Sequence, residues 1–206
     1  MPIVPERVWT REAFEALPED GRRYQVLDGE LFVMPAPSFE HQLVASELIA
    51  RLLVHAKRHR LGIVVHDINL DLGPGRYQIP DVVFVQRELL ARFTGPRTVW
   101  VDAAPKLIAE VVSPSSGGYD RIRKRRAYEA WGIGEYWIVD PEARWVEVYR
   151  FASSAPGADP EIVTDVLRWS PGRGAPDLEI DLPELFGPLP DLTGGRKLMG
   201  PDDPEE

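Results

Sequence analysis

Apolar and polar positions along the chain follow two periods. From Phe39 to about Arg60, His41, Val44, Ala45, Leu48, Leu52 and His55 recur at helical spacing and fall on one stripe. This predicts a long amphipathic helix, with Ser38 as its N-cap after the breakers Pro35 and Pro37. Tyr119 to Trp131 reads as a second helix, stopped by Gly132, and Thr10 starts a short one that Pro18 ends. Between them lie short strand-like runs. Tyr24–Leu27 and Leu31–Met34 form a hairpin through Asp28-Gly29, a strong turn dipeptide. Ile63–Val65 and Ile68–Leu72 are followed by a turn at Gly73-Pro74-Gly75. Tyr77–Val85 reads as one strand interrupted by Pro80. Leu107–Val112 is a continuous apolar run broken only by Glu110, the pattern of a buried central strand.

Pro114 to Gly118 reads as a loop. Tyr136–Val139 and Trp145–Phe151 make a second hairpin around Asp140-Pro141, Glu161–Trp169 reads as one more strand, and Leu178–Phe186 as a closing segment. The order predicts one α/β (α+β) domain over residues 1–187, a central mixed sheet flanked by helices with an N-terminal hairpin. Residues 188–206, ending in Pro-Asp-Asp-Pro-Glu-Glu, are expected to be a mobile acidic tail.

Charge refines the picture. Lys and Arg number 24 against 33 Asp and Glu, a net charge of −9. That opposes non-specific coating of nucleic acid, which phosphate neutralisation drives. The charge is uneven, because Arg121 to Arg126 carries five cations in six residues. Such a run is usually a solvated helix face; here Arg121, Arg123 and Arg125 are also candidates for phosphate contacts. Cysteine is absent, which excludes disulfides, thiolate metal sites and a cysteine nucleophile. With no visible signal peptide and no apolar stretch long enough for a bilayer, a cytoplasmic protein without a membrane partner is expected.

Four residues stand out chemically. Glu110 interrupts an apolar strand, where a carboxylate needs a cation, a metal or hydrogen-bond donors; an arginine at the strand end would serve as well as a functional partner. Asp81 follows Pro80 inside a β-like run, which marks an edge or a bulge able to re-aim a side chain. On a helical wheel Asp120, Lys124, Ala127, Tyr128 and Trp131 share the face that packs inward, while Arg121, Arg125 and Glu129 point away. Lys124 therefore reaches inward and wants an anionic partner, unless it only pairs with Asp120 one turn back. His41 lies on the apolar stripe in the first turn of the long helix, as a core histidine or beside a phosphate-binding N-terminus. Two carboxylates from separate strands plus a lysine suit a hard divalent cation and the hydrolysis of a phosphodiester. There is no Gly-rich phosphate loop and no serine nucleophile elbow.

The order Pro80-Asp81, then Glu110 in an apolar strand, then a nearby lysine resembles the PD-(D/E)XK nuclease superfamily. The strings RRYQVLDGELFVMPAPSFEHQ, IPDVVFV, PKLIAEVVSPSS and YDRIRKRRAYEAWGIGEYWIVDPEARWVEVYR resemble the Uma-type restriction endonucleases within it, over about Tyr24 to Phe186. The resemblance implies a restriction-endonuclease-like fold with Asp81, Glu110 and the backbone carbonyl of Val111 as ligands of Mg2+ (or Mn2+). It departs from the plain motif at Val112, where the lysine would stand; in the Uma-type branch that role moves to Lys124, with Asp120 and Tyr128 in support. His41 and Glu30 match recurrent positions without an assigned role. The implied activity is a metal-dependent endonuclease acting on DNA, with RNA still open and a homodimer suited to two cuts. The alternative is a non-catalytic nucleic-acid-binding or accessory protein with a relic site.

Overall fold

The helical stripe becomes a helix because its start and stop are both satisfied. Ser38 accepts a hydrogen bond from the His41 amide, and Arg60 ends the helix in the left-handed conformation, its N–H returning to Ala56 and Lys57. In the computed structural model, which describes residues 9–90, 100–112, 118, 120–172 and 174–187, this is α2 (Phe39–His59). Before it come α1 (Arg11–Glu15), β1 (Arg23–Leu27) and β2 (Glu30–Met34). After it come β3 (Gly62–Val65), β4 (Asn69–Asp71), β5 (Tyr77–Gln78), β6 (Val82–Gln86), α3 (Arg87–Leu90), β7 (Trp100–Val101) and β8 (Leu107–Val111). A π-helical turn (Asp120–Lys124) leads into α4 (Arg125–Trp131). The chain closes with β9 (Glu135–Asp140), β10 (Trp145–Tyr149), β11 (Glu161–Val163), β12 (Val166–Trp169), β13 (Leu178–Asp181) and α5 (Leu182–Leu185).

The strands make a six-stranded sheet in the order β11-β10-β9-β8-β6-β3, a five-stranded sheet in the order β2-β1-β5-β4-β7, and the hairpin β12-β13. Only β8 and β9 pair in parallel within the larger sheet. Alternation along the central strands sorts two cores. Val82, Phe84, Leu107, Ala109, Val111, Trp137 and Val139 face α2, α5 and the β12-β13 hairpin. Val83, Val85, Ile108, Val112, Tyr136 and Ile138 face α4 and the five-stranded sheet. Trp9, Phe14, Val26 and Tyr77 form a third cluster beneath α1. The larger sheet is thus covered on both sides, which is why its central strands are apolar almost throughout.

Three expectations are corrected. The run Tyr77–Val85 is two strands in two sheets: β5 pairs with β1 and β4, and β6 with β3 and β8. Pro80 has no N–H to continue a ladder, so the chain changes sheets there. Consequently Pro80-Asp81 belongs to the link between two strands that are each internal to their sheets, and not to an edge strand. Glu161–Trp169 is also two strands, β11 on β10 and β12 on β13. The second helix contains a π turn at Asp120–Lys124, where α geometry was expected throughout. The expected loop at residues 113–117 and the tail at 188–206 lie outside the described residues.

Candidate active site

Register brings the two carboxylates together. In the antiparallel β6–β8 ladder Val82 faces Ala109 and Val83 faces Ile108. The paired residues end there, so Asp81 and Glu110 are the next residues on the two strands and leave the same end of the ladder. The same register carried beyond them would oppose Pro80 to Val111. The Val111 N–H donates to Asp81 Oδ2 at 2.9 Å instead of to a strand carbonyl. Pro80 cannot return a hydrogen bond, so the Val111 carbonyl has no ladder donor from that side.

Alternation along β8 turns Glu110 toward α4, away from the α2 face that takes Ala109 and Val111. There Glu110 Oε1 accepts hydrogen bonds from the Tyr128 hydroxyl at 2.8 Å and from Lys124 Nζ at 2.9 Å. Both charged residues are almost fully enclosed, Glu110 3% and Lys124 2% exposed. Taking both ions out of water costs several kcal/mol each, which their pairing and the tyrosine donor help to offset. Tyr128 is itself fixed edge-on against Tyr136, ring centroids 5.0 Å apart.

His41 arrives from the first turn of α2 and holds Asp81 Oδ2 through Nε2 at 3.0 Å. Its Nδ1 is buried with no hydrogen-bond partner. Burial opposes ionisation of Asp81, but the His41 hydrogen bond and charge, Lys124 and the Val111 N–H outweigh it and hold the carboxyl below the usual aspartate range. The same pairing works in reverse on His41. Burial lowers its pKa, and the bond to Asp81 with the charges of Asp81 and Glu110 raises it further, for a net rise. Two carboxylates, an imidazole and an ammonium thus lie together around a cavity of about 210 Å3, lined also by Arg23, Gln25, Val111 and the Met34–Ser38 loop.

Of the expected site residues, Asp81, Glu110, Val111, Lys124 and His41 line this one cavity, and Tyr128 supports it from behind. The side chain of Asp120 lies outside the described residues. Glu30 sits apart on the β1–β2 hairpin, paired with Arg123 at 2.8 Å. The three arginines are held by the protein's own groups. Arg121 bridges Asp140 at 2.8 Å and Glu147 at 2.5 Å. Arg123 also reaches the Leu27 carbonyl and lies over the Phe32 ring. Arg125 donates to the Ala158 carbonyl and lies over the Tyr149 ring. The sequence reading missed Gln25, whose Nε2 donates to the Ile79 carbonyl and whose Oε1 is buried without a partner beside the cavity. Its signal was available, because Gln25 takes an inward position two residues before the fully buried Leu27.

This layering of helices on a mixed sheet is the restriction-endonuclease-like fold. It is similar to the crystal structure of "a putative nuclease belonging to DUF820" from Anabaena variabilis, with a TM-score of 0.70 and 20% identity over 86% of this chain and 97% of that one. At that identity the likeness speaks for the fold. The Uma2 family, described as "Putative restriction endonuclease", matches residues 11–183, and the chain belongs to it. Membership places the protein among nucleases at the level of the family. No curated protein matches the chain.

Proposed function

We propose that the protein is a metal-dependent endonuclease that hydrolyses phosphodiester bonds of DNA. The observation that carries this reading is the meeting of Asp81 and Glu110 on one cavity, with a buried lysine on the second carboxylate. Such a pair is unfavourable without cations, and here His41 and Lys124 hold one carboxylate each.

The donor set fits Mg2+ or Mn2+. Among the described residues no three His, Cys, Asp or Glu side chains form a ready cage. A hard cation of this kind takes one or two carboxylates and completes its shell with carbonyls, waters and substrate phosphate. Asp81, Glu110 and the Val111 carbonyl, which lacks a ladder donor from Pro80, would hold it. When bound, such an ion activates water and shields phosphate charge. Lys124 would orient the attacking water and oppose the charge that builds on the phosphoryl oxygens. Tyr128 fixes Glu110, and His41 fixes Asp81, so both carboxylates are oriented beforehand.

The test is cleavage of plasmid DNA with Mg2+ or Mn2+, alongside calorimetric titration of the metal. Glu110→Ala and Lys124→Ala should each abolish cutting, and Asp81→Ala should weaken metal binding. Undiminished cutting by Lys124→Ala would overturn the assignment of the lysine.

A further inference from the structure

The basic run from Arg121 to Arg126 looks at first like a phosphate-binding surface, but Arg121, Arg123 and Arg125 are turned back onto the protein's own groups. We propose that Arg121 and Arg123 are positioning residues that clamp the lysine-bearing segment between the two sheets; this rests on Lys124 being the working amine of the site.

The argument begins with the helical geometry. In an α-helix of 3.6 residues per turn, positions 121 and 124 lie only about 60° apart, so Arg121 would stand closer to Lys124 than the outward face on which the sequence reading placed it. The segment Asp120–Lys124 is a π turn, which holds more residues per revolution and recurs at functional sites. The wider turn fans three cations out to four anions on four strands. Arg121 goes to Asp140 and Glu147 on β9 and β10 of the larger sheet. Arg123 goes to Glu30 and the Leu27 carbonyl on the hairpin of the smaller sheet. Lys124 goes to Glu110 on β8, a central strand of the larger sheet.

The Arg121 anchor lies inside the fold. Glu147 is buried, and its other oxygen accepts from the Tyr149 hydroxyl at 3.1 Å. Burial and Glu147 together push the Tyr149 phenol up to about 12, so this hydroxyl stays a donor at any working pH. A carboxylate fixed in this way fixes Arg121, and Phe32 beneath the Arg123 guanidinium restricts the other arm. Lys124 is thus placed by two arms that pull on opposite sheets. This also gives Glu30, exposed and remote from the cavity, a role through Arg123.

The test is a charge swap across the accessible arm. Arg123→Glu, Glu30→Arg and the double swap are compared with Arg126→Gln, an exposed cation of the same run. Backbone hydrogen exchange over residues 120–128 is read without substrate, and kcat, KM and the salt dependence of oligonucleotide binding are read with it. A clamp predicts faster exchange in Arg123→Glu and a kcat roughly 10- to 100-fold lower with little change in KM. It predicts that the double swap restores both, and that Arg126→Gln changes neither. A phosphate contact predicts unaltered exchange, weaker binding with a salt slope reduced by about one, and no restoration; that result would overturn the proposal. Arg123→Gln and Glu30→Gln, milder changes, make the same comparison should a swapped protein not fold. If even the unaltered protein cuts nothing, the exchange data still decide the clamp, and only the nuclease reading fails.

Discussion

Replacing Lys124 with Met tests the buried pair directly. Methionine keeps most of the apolar stem and removes the ammonium that sits 2.9 Å from Glu110 Oε1. The Glu110 carboxylate would then stay enclosed beside Asp81 with one cation fewer. Removing one partner of a buried pair costs about 3–5 kcal/mol. The Tyr128 hydroxyl still donates to Glu110, which argues for the lower end, about 3 kcal/mol. In a chain of 206 residues, each kcal/mol moves the thermal midpoint by roughly 2–4 °C, so a fall of about 6–12 °C is expected. The double variant Lys124→Met/Glu110→Gln removes the stranded charge and should recover at least half of that loss. Urea and thermal unfolding of the unaltered protein, both single variants and the double variant complete the cycle, with a coupling on the order of 1–3 kcal/mol. A single variant within about 1 kcal/mol of the unaltered protein, or a double variant as unstable as the sum of the singles, would refute the buried-pair account.

Three further outcomes follow from the packing. Gly62→Ala should be severely destabilising, because an added Cβ would fall 2.1 Å from the Val85 carbonyl oxygen; soluble yield and thermal midpoint check this, and a shift under a few degrees would contradict it. Ser38→Ala removes the cap of α2 and should cost about 1 kcal/mol, while Ser38→Asp should cost nearly nothing, read by urea midpoints. Glu135 has its pKa raised by burial, against the Trp137 indole and Arg150, so its folded value lies above the unfolded one. The stability it contributes is present below the unfolded pKa and is lost as pH rises through the folded pKa. Glu135→Gln should therefore raise the thermal midpoint at pH 7 and leave it unchanged near pH 4, and an equal effect at both would sink the assignment.

Local signals carried much of the fold. Ser38, Asp28-Gly29 and Gly132 mark their boundaries through capping and left-handed backbone, and these are properties of a few neighbouring residues. Sheet membership was less legible. Nothing local in Tyr77–Val85 says that β5 and β6 pair with different sheets, since pairing is decided by distant strands. Pro80 gave the break but not its consequence. At the site, Lys124 was legible because helical spacing aligned it with Ala127 and Tyr128, and all three are buried. The partners of Arg121 were not, because Asp140 and Glu147 come from a hairpin folded later in the chain. A period computed for an α-helix also carries no warning of a π turn.

The switch of sheets at Pro80 has a bearing on how such a protein can be made safely inside a cell. Asp81 is aimed only once two layers have docked, and Arg121, one arm of the proposed clamp, is anchored only after the strand carrying Glu147 has been synthesised. A ribosome-bound fragment ending before that strand lacks this arm, so on the proposed function a host chromosome would meet no fully assembled cutter until translation of most of the domain was complete. Slippage of β6 by one residue would also turn its side chains to the opposite face, which makes a misfolded copy inert instead of indiscriminate.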